Sequence, residues 1–507
     1  MRRVLLAGLV LATAPLSASA QTRAPTDAGA ASITAADVAR RVGIIADDSM
    51  MGRDTPSRGL ELTAKYVADQ FRSFGLRPAG DSGSFLQRYS ITRRRFEAES
   101  STVVFKTGRT TAEARFNRSA RYVQGQVSGR PTAGPVVLVG GALDPDAIGR
   151  LPVRDKIVLY PIVGPGAGAE RTTQVTRALK LANPTAVVLL VDLPADTYAA
   201  RIPNTAVPRT AVDLKLTAPP IVEVNEAAVA SALRAAQIDA GAVRTATKPI
   251  YRELPDLRLT VTLKDSVLHA LTAPNTVGML EGSDRVLRNE YLVFSAHMDH
   301  IGITPGLPDS INNGADDDGS GTTGVIELAE AFTRSGARPK RSIIFLTVSG
   351  EEKGLWGSRY FSEHPPVPLG QVVADLNIDM IGRNWRDTIV AIGKEHSDLG
   401  ATLERVNRAH PELDMTAIDD RWPEERFYFR SDHYNFARKG VPILFFFNGV
   451  HPDYHQPSDS PDKIDSEKES RILRLLYYLG RAVGDAPERP KWKPESYREI
   501  VEEPSHP

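Results

Sequence analysis

Five residues between His297 and His455 have the types and placement of one dinuclear metal site: His297, Asp317, Glu352, Asp379 and His455. Each lies at or just beyond the end of an apolar run that reads as a β-strand. Open α/β sheets build their sites beyond the carboxyl ends of their strands. A fold that sets five such loops side by side can converge two imidazoles and three carboxylates on one pocket. That donor set suits two zinc ions better than magnesium or calcium, which prefer all-oxygen shells.

Taken singly, the motifs leave alternatives open. In SAHMDH (Ser295 to His300), His297 and Asp299 are two apart and point the same way in an extended chain. An imidazole ligand needs its other nitrogen held, and a neighbouring carboxylate can do that. A plain surface loop explains this motif as well, and His300 reads as structural. In GADDDGSG (Gly314 to Gly321), three successive acids repel one another unless a cation lies between them. A helix N-terminus just downstream also relieves them, so a solvated turn is the rival.

In SGEEKGLWGS (Ser349 to Ser358), two Glu follow the apolar run Ile343 to Val348. One can ligate a metal while its neighbour takes a proton from water. Asp379 in NIDMIG follows a buried strand and needs a partner. His455 in DYHQPSD is, alone, an ordinary loop histidine. Jointly the motifs point to one site, because each falls at a strand end.

The elements that must position these residues are legible as periodic patterns. Strands are expected at Tyr291 to Ala296, Ser342 to Val348, Val372 to Ile378 and Pro442 to Phe447, with a helix at Thr322 to Phe332. This alternation predicts a sheet between helices. Upstream, Thr34 with Asp37 opens a helix whose apolar face is Val38, Val42 and Ile45. A second helix spans Gly59 to Phe74, with Leu62, Tyr66, Val67 and Phe71 on one side and Gly75 as its C-cap. A last helix begins near Asp465, with Ile472, Leu476, Leu479 and Val483 inward. From Ala486 the Pro- and charge-rich chain reads as a loose or disordered tail.

Between Arg115 and Leu254 the character changes to short β runs at Pro135 to Val139, Lys156 to Ile162, Ala186 to Val191 and Pro220 to Val224, with a helix at Thr173 to Leu181. None of these ends in a His or acidic cluster. Gly164, Gly166 and Gly168 do not have nucleotide-loop spacing and read as a turn.

At 507 residues the chain is too long for one core; roughly 100–200 residues per domain implies two or three. Lys plus Arg and Asp plus Glu are 62 each, so charge gives no reason to expect nucleic acid or an anionic membrane as partner. Arg2, Arg3, the apolar stretch Val4 to Leu16 and Ala18-Ser19-Ala20 read as a signal peptide. No later run reaches the roughly 18 apolar residues of a membrane span. With no Cys there is no disulfide framework. The mature chain is expected to be exported, to the periplasm or the extracellular space.

The order His-x-Asp, Asp, Glu-Glu, Asp, His, with AHMDH, DDGSG, GEEKGLWGS, NIDMIG and YHQPSD, resembles the M28 family of zinc metallopeptidases, the co-catalytic aminopeptidases. The likeness covers about Asn275 to Asp462 and, more loosely, Thr34 to Tyr89, including DSMMGRDTPSRG (Asp48 to Gly59). More softly, DKIVLYPIV (Asp155 to Val163) and PIVEVN (Pro220 to Asn225) resemble a protease-associated (PA) domain. The resemblance implies an α/β fold: a three-layer α/β/α mixed sheet of the zinc-exopeptidase type with an inserted, mainly-β or α+β, PA-like domain. The corresponding division is a signal peptide at 1–20, a linker at 21–33, catalytic-domain parts at 34–114 and 255–485, the insert at 115–254 and a tail at 486–507.

It further implies two zinc ions per chain, one on His297 and Asp379, the other on Glu352 and His455, with Asp317 bridging. Glu351 falls on the general base, Asp299 on the acid that orients His297, and Tyr454 on an oxyanion-stabilising tyrosine. A cis peptide is implied at Asp317–Asp318. Asp318 stands where the family often has Asn, adding negative charge near the metals. The implied substrates are peptides with a free N-terminus. The loop Trp422 to Tyr434 would line the side-chain pocket, with Arg430 and Asp432 as substrate contacts, ligand supports or plain structure. The rivals are a glutaminyl cyclase, which uses one zinc and tends to carry Trp where Tyr454 stands, a carboxypeptidase or deacylase, and a non-catalytic binding protein. The oligomeric state is open.

Overall fold

Uninterrupted apolar runs become the central strands of a sheet covered on both faces, as parallel strands require. The computed structural model describes residues 27–143, 148, 151–162, 175–176, 178–179, 182–202, 208–212, 219–306 and 308–501. The leader Met1 to Ala20 and the Gly164–Gly168 turn lie outside the described residues, as does most of the helix expected at Thr173 to Leu181.

The chain forms two units, one of residues 1–87 with 275–507, the other Arg88–Pro274. In the first, Tyr291–His297 is the middle strand, parallel to Ser342–Val348 on one side and Val372–Ile378 on the other. Ile443–Phe446 continues the parallel set. Residues Thr276 to Leu280 pair antiparallel with Ser342–Val348, and Thr388–Ile392 pairs antiparallel with Ile443–Phe446, so the sheet is mixed.

Alternate residues of the middle strand enter two separate cores. Leu292, Phe294 and Ala296 pack with the helices Ala35–Ile45, Gly321–Arg334 and Ser466–Asp485. Val293, with Ile344 and Leu346 of the next strand, packs with Phe361, Phe436 and Ile500 on the other face. The result is the expected three-layer arrangement.

Local sequence explains the helix starts. The Thr34 side chain accepts from the Asp37 amide at 3.1 Å, and Ser57 does the same for Leu60. In the helix Arg58–Ser73 the buried stripe is Leu60, Ala64, Val67 and Phe71, while Leu62 and Tyr66 are only partly covered. Val67 and Phe71 of the expected stripe face the core, whereas Leu62 and Tyr66 do not, because apolar type alone does not fix which face meets the sheet. The C-terminal segment is also more ordered than expected. Pro494–Ile500 is helical, Ile500 is buried, and Trp492 Nε1 donates to the Gly440 carbonyl at 2.9 Å. Trp492 and Ile500, spaced along a charged segment, dock it.

The second unit has its own sheet and cores. Its strand order is Ile250–Glu253, Val136–Gly140, Ile157–Ile162, Ala186–Val191, Ile221–Asn225 and Ala120–Gln124, with the four inner strands mutually parallel. A second, antiparallel sheet contains Thr110–Arg115, Thr102–Thr107, Leu257–Thr262 and Pro131–Gly134. These flanking strands make the unit wider than residues 115–254. Among the described residues, no helix is long and apolar enough to cross a membrane.

Candidate metal centre

The strand ends of the first unit deliver their side chains to one place. His297 closes its strand, Glu351 and Glu352 follow Ser342–Val348, and Asp379 follows Val372–Ile378. His455 comes from the loop after Ile443–Phe446 and takes a left-handed backbone, φ 56°. Asp317 precedes the helix Gly321–Arg334, and its peptide bond to Asp318 is cis.

Two donor groups result, and Asp317 belongs to both. In the first, His297 Nε2 lies 3.3 Å from Asp317 Oδ1 and 3.6 Å from Asp379 Oδ1. In the second, His455 Nε2 lies 3.1 Å from Asp317 Oδ2 and 3.2 Å from Glu352 Oε2. His300, expected to be structural, joins the second group: its Nδ1 is 2.9 Å from Glu352 Oε1 and 3.6 Å from Asp317 Oδ2.

Supports surround these groups. His297 Nδ1 meets the backbone carbonyl of Asp299 at 3.1 Å, while the Asp299 carboxylate is 3.8 Å away. That carboxylate instead accepts from Thr55 Oγ1 at 3.0 Å and from the Glu351 amide at 3.2 Å. Asp299 therefore orients the imidazole through its main chain and ties the Glu351 loop through its side chain. Ser431 Oγ donates to Asp379 Oδ2 at 2.9 Å.

Asp318 turns away from the donors. Its oxygens accept from the amides of His297 at 3.2 Å, Gly321 at 2.8 Å and Met380 at 3.2 Å. It ties two strand ends to a helix start. Burial, with Asp379 and Asp317 nearby, holds its carboxyl well above the usual range.

Three further supports carry no local sequence signal. Arg53 is fully buried, and its guanidinium donates to the carbonyls of Met298, Ile45, Asn313 and Gly314 at 2.5–3.0 Å. Asp459 accepts from the amides of both Asp316 and Asp317 at 3.1 Å. His451 Nε2 lies 3.2 Å from Asp316 Oδ2. DSMMGR and YHQPSD marked the segments but not these contacts.

The electrostatics match a pocket rich in carboxylates. Burial opposes the charged form of His455, yet Asp317 and Glu352 raise it to about 10. Burial would raise Asp317, but His300, His297 and His455 hold it well below the carboxylate range. Burial pushes Glu351 well above its ordinary value; His297 opposes this, and Asp432, Asp379 and Glu352 add to it. Burial raises Asp432 to about 7.

The cleft over the donors is walled by Phe427, Phe445, Phe447 and Met380, with Arg430 and Tyr454 also lining it. Tyr454 stacks on His455 at 3.9 Å between ring centroids. The aromatic wall is rooted in the core, since Phe427 packs on Phe447 at 4.9 Å and Trp422 on Phe447 at 5.8 Å.

The chain is similar to a probable leucine aminopeptidase of Arthroderma otae, 28% identical over 220 residues, 42% of this chain and 58% of that protein. It is similar to aminopeptidase YwaD of Bacillus subtilis, 26% identical over 223 residues, 41% of this chain and 44% of that protein. The chain thus spans about half the length of these curated relatives. A solved aminopeptidase from Aneurinibacillus sp. strain AM-1 aligns over 94% of this chain and 98% of its own, with a TM-score of 0.46 and 17% identity. The family model described as Peptidase family M28 matches residues 275–480. That segment carries every one of the clustered imidazoles and carboxylates, and it is through this segment that the chain matches Peptidase family M28.

Proposed function

We propose that the chain is an exported aminopeptidase that holds two zinc ions and releases N-terminal residues from peptides. The observation that carries this reading is the shared carboxylate: the two oxygens of Asp317 face two separate donor groups. Asp317 Oδ2, Glu352 Oε1 and His455 Nε2 are buried and make no hydrogen bond. Buried polar atoms left so cost about 1–3 kcal/mol each, and a cation among them removes that cost. Nitrogen and carboxylate donors fit zinc. His297, Asp379 and Asp317 Oδ1 would hold one ion; Glu352, His455 and Asp317 Oδ2 the other. Bound there, the pair supplies Lewis acidity toward a carbonyl and lowers the pKa of water.

The chain's own residues do the rest. Glu351, with its raised proton affinity, takes a proton at its carboxylate from the attacking water and returns it to the leaving amine. Asp299 fixes the Glu351 loop and the His297 ring. Tyr454 donates its phenol hydrogen to the developing oxyanion. The free amino group of the substrate is attracted to the acidic wall, and its side chain lies along Phe427, Phe445 and Phe447. The names of the curated relatives, which are aminopeptidases, support this reaction class. Within the unit Arg88–Pro274, we read residues 115–254 as a PA-like insert, and Met1 to Ala20 as an export signal.

The test is the cleavage rate of Leu-Gly-Gly by the zinc-loaded protein, beside its N-acetylated and C-amidated forms. Loss on N-acetylation alone supports an aminopeptidase. Loss on C-amidation alone moves the reading to a carboxypeptidase. No cleavage with zinc bound overturns the peptidase reading.

A further inference from the structure

The two donor groups are not equivalent, and His300 makes the difference. This imidazole is completely buried, and neither ring nitrogen has a hydrogen-bond partner. Its Nδ1 is nevertheless 2.9 Å from Glu352 Oε1, itself buried and without a hydrogen bond. The two atoms lie side by side with the Asp317 and His455 donors, as atoms converging on a common cation do.

The remaining distances are close to those within one coordination shell. Nδ1 is 3.6 Å from Asp317 Oδ2, and His455 Nε2 is 3.1 Å and 3.2 Å from the Asp317 and Glu352 oxygens. Zinc bonds of about 2.0–2.2 Å to nitrogen and oxygen make the edge of a tetrahedron about 3.3–3.6 Å. Donor atoms of His300, Asp317, Glu352 and His455 all lie within 4.8 Å of one another. The backbone makes room for the ring: Gly314 has φ 56°, and a Cβ there would sit 2.6 Å from His300 Cγ and Cδ2. The other group has only His297, Asp317 and Asp379, and two of these have their orienting contacts in place, the Asp299 carbonyl and the Ser431 hydroxyl.

We propose that His300 is a fourth protein donor to the ion held by Asp317, Glu352 and His455. One position is then closed by four side chains, and the other is held by three and open. Closed shells are the mark of structural zinc and open ones of catalytic zinc. The ion at the four-donor position should be retained when the other exchanges. This rests on the dinuclear reading above.

The experiment measures metal, not turnover. Zinc content of the full chain is followed during stepwise chelation, for wild type and His300→Ala. Wild type is expected to hold two zinc ions and to keep one through the step that removes the first. His300→Ala is expected to lose that plateau, with the tighter affinity falling by more than the roughly tenfold to hundredfold that losing a mere ligand support costs. An unchanged plateau in a folded variant overturns the proposal.

A variant-free measurement guards against misfolding. The cobalt(II)-substituted wild type is examined by proton NMR for paramagnetically shifted, exchangeable imidazole N–H signals. Three signals support His300 beside His297 and His455. Two signals with two bound ions overturn His300 as a ligand and leave the dinuclear reading standing. Binding of fewer than two ions by the wild type overturns both.

Discussion

Both units of this chain build a sheet on buried parallel strands, yet among the described residues only one of them turns its strand ends into a site. In the second unit, Ala186–Val191 ends at Asp192, whose side chain is exposed. Ile221–Asn225 ends at Asn225, which spends its side chain on the Ala227 amide and the Leu193 carbonyl. In the first unit the corresponding positions hold His297, Asp379 and the Glu351–Glu352 pair, each braced by a neighbouring loop. The difference teaches that the strand ends of an α/β sheet offer a location, while chemistry requires side chains that converge on one another there.

The sharpest way to break this contrast is at Glu351. Glu351→Gln is expected to lower kcat by about 10²–10⁴-fold, the usual worth of a general base, with zinc content unchanged by elemental analysis. Removal of metal comes next. Chelation should abolish peptide cleavage and destabilise the first unit by ~4 kcal/mol for each ion removed, if zinc is present at about a thousand times its Kd. Hydrogen exchange should then rise in peptides covering 291–300 and 311–320 and stay unchanged in those covering 186–191 and 221–225.

Acid should act on the first unit too. His433 is completely buried against Phe445, and burial depresses its pKa from 6.5 to about 3. A depressed folded pKa means that its stability contribution is present above pH 6.5. It is lost as pH falls toward 3, at ~1.4 kcal/mol per pH unit. His433→Gln should flatten urea-derived stability over that window, and an unchanged slope would assign the acid sensitivity elsewhere. Arg53→Ala should cost ~3 kcal/mol, because several buried carbonyls lose their donor, measured by urea unfolding. The smallest effect is expected in the second unit: Asn225→Ala removes a helix cap worth ~1 kcal/mol and leaves peptide cleavage unchanged.

The strand ends were legible in the sequence because an apolar run followed abruptly by His, Asp or Glu is a local pattern. Val372–Ile378 and Ser342–Val348 have the bounds that their apolar runs predict. What was not legible is whatever depends on distant segments meeting. Nothing near Arg53 announces that its guanidinium will bind carbonyls at Asn313 and Gly314, and nothing in HMDH distinguishes a filler imidazole from one facing Glu352. Nor does the sequence announce that the Asp299 carbonyl, at 3.1 Å, approaches the His297 ring more closely than the Asp299 carboxylate, at 3.8 Å. The outer bounds of the second unit were hidden for a similar reason. Thr102–Thr107 and Leu257–Thr262 are partners in one sheet but lie far apart in sequence.

The loop from His451 to Asp459 does two things at once. It presents His455 to the second donor group, and four residues later Asp459 grips the amides that carry Asp317. The shared carboxylate and one of the imidazoles are therefore both held by one short segment. A displacement of this loop would disturb the donor group of His455 and the seat of Asp317 at once.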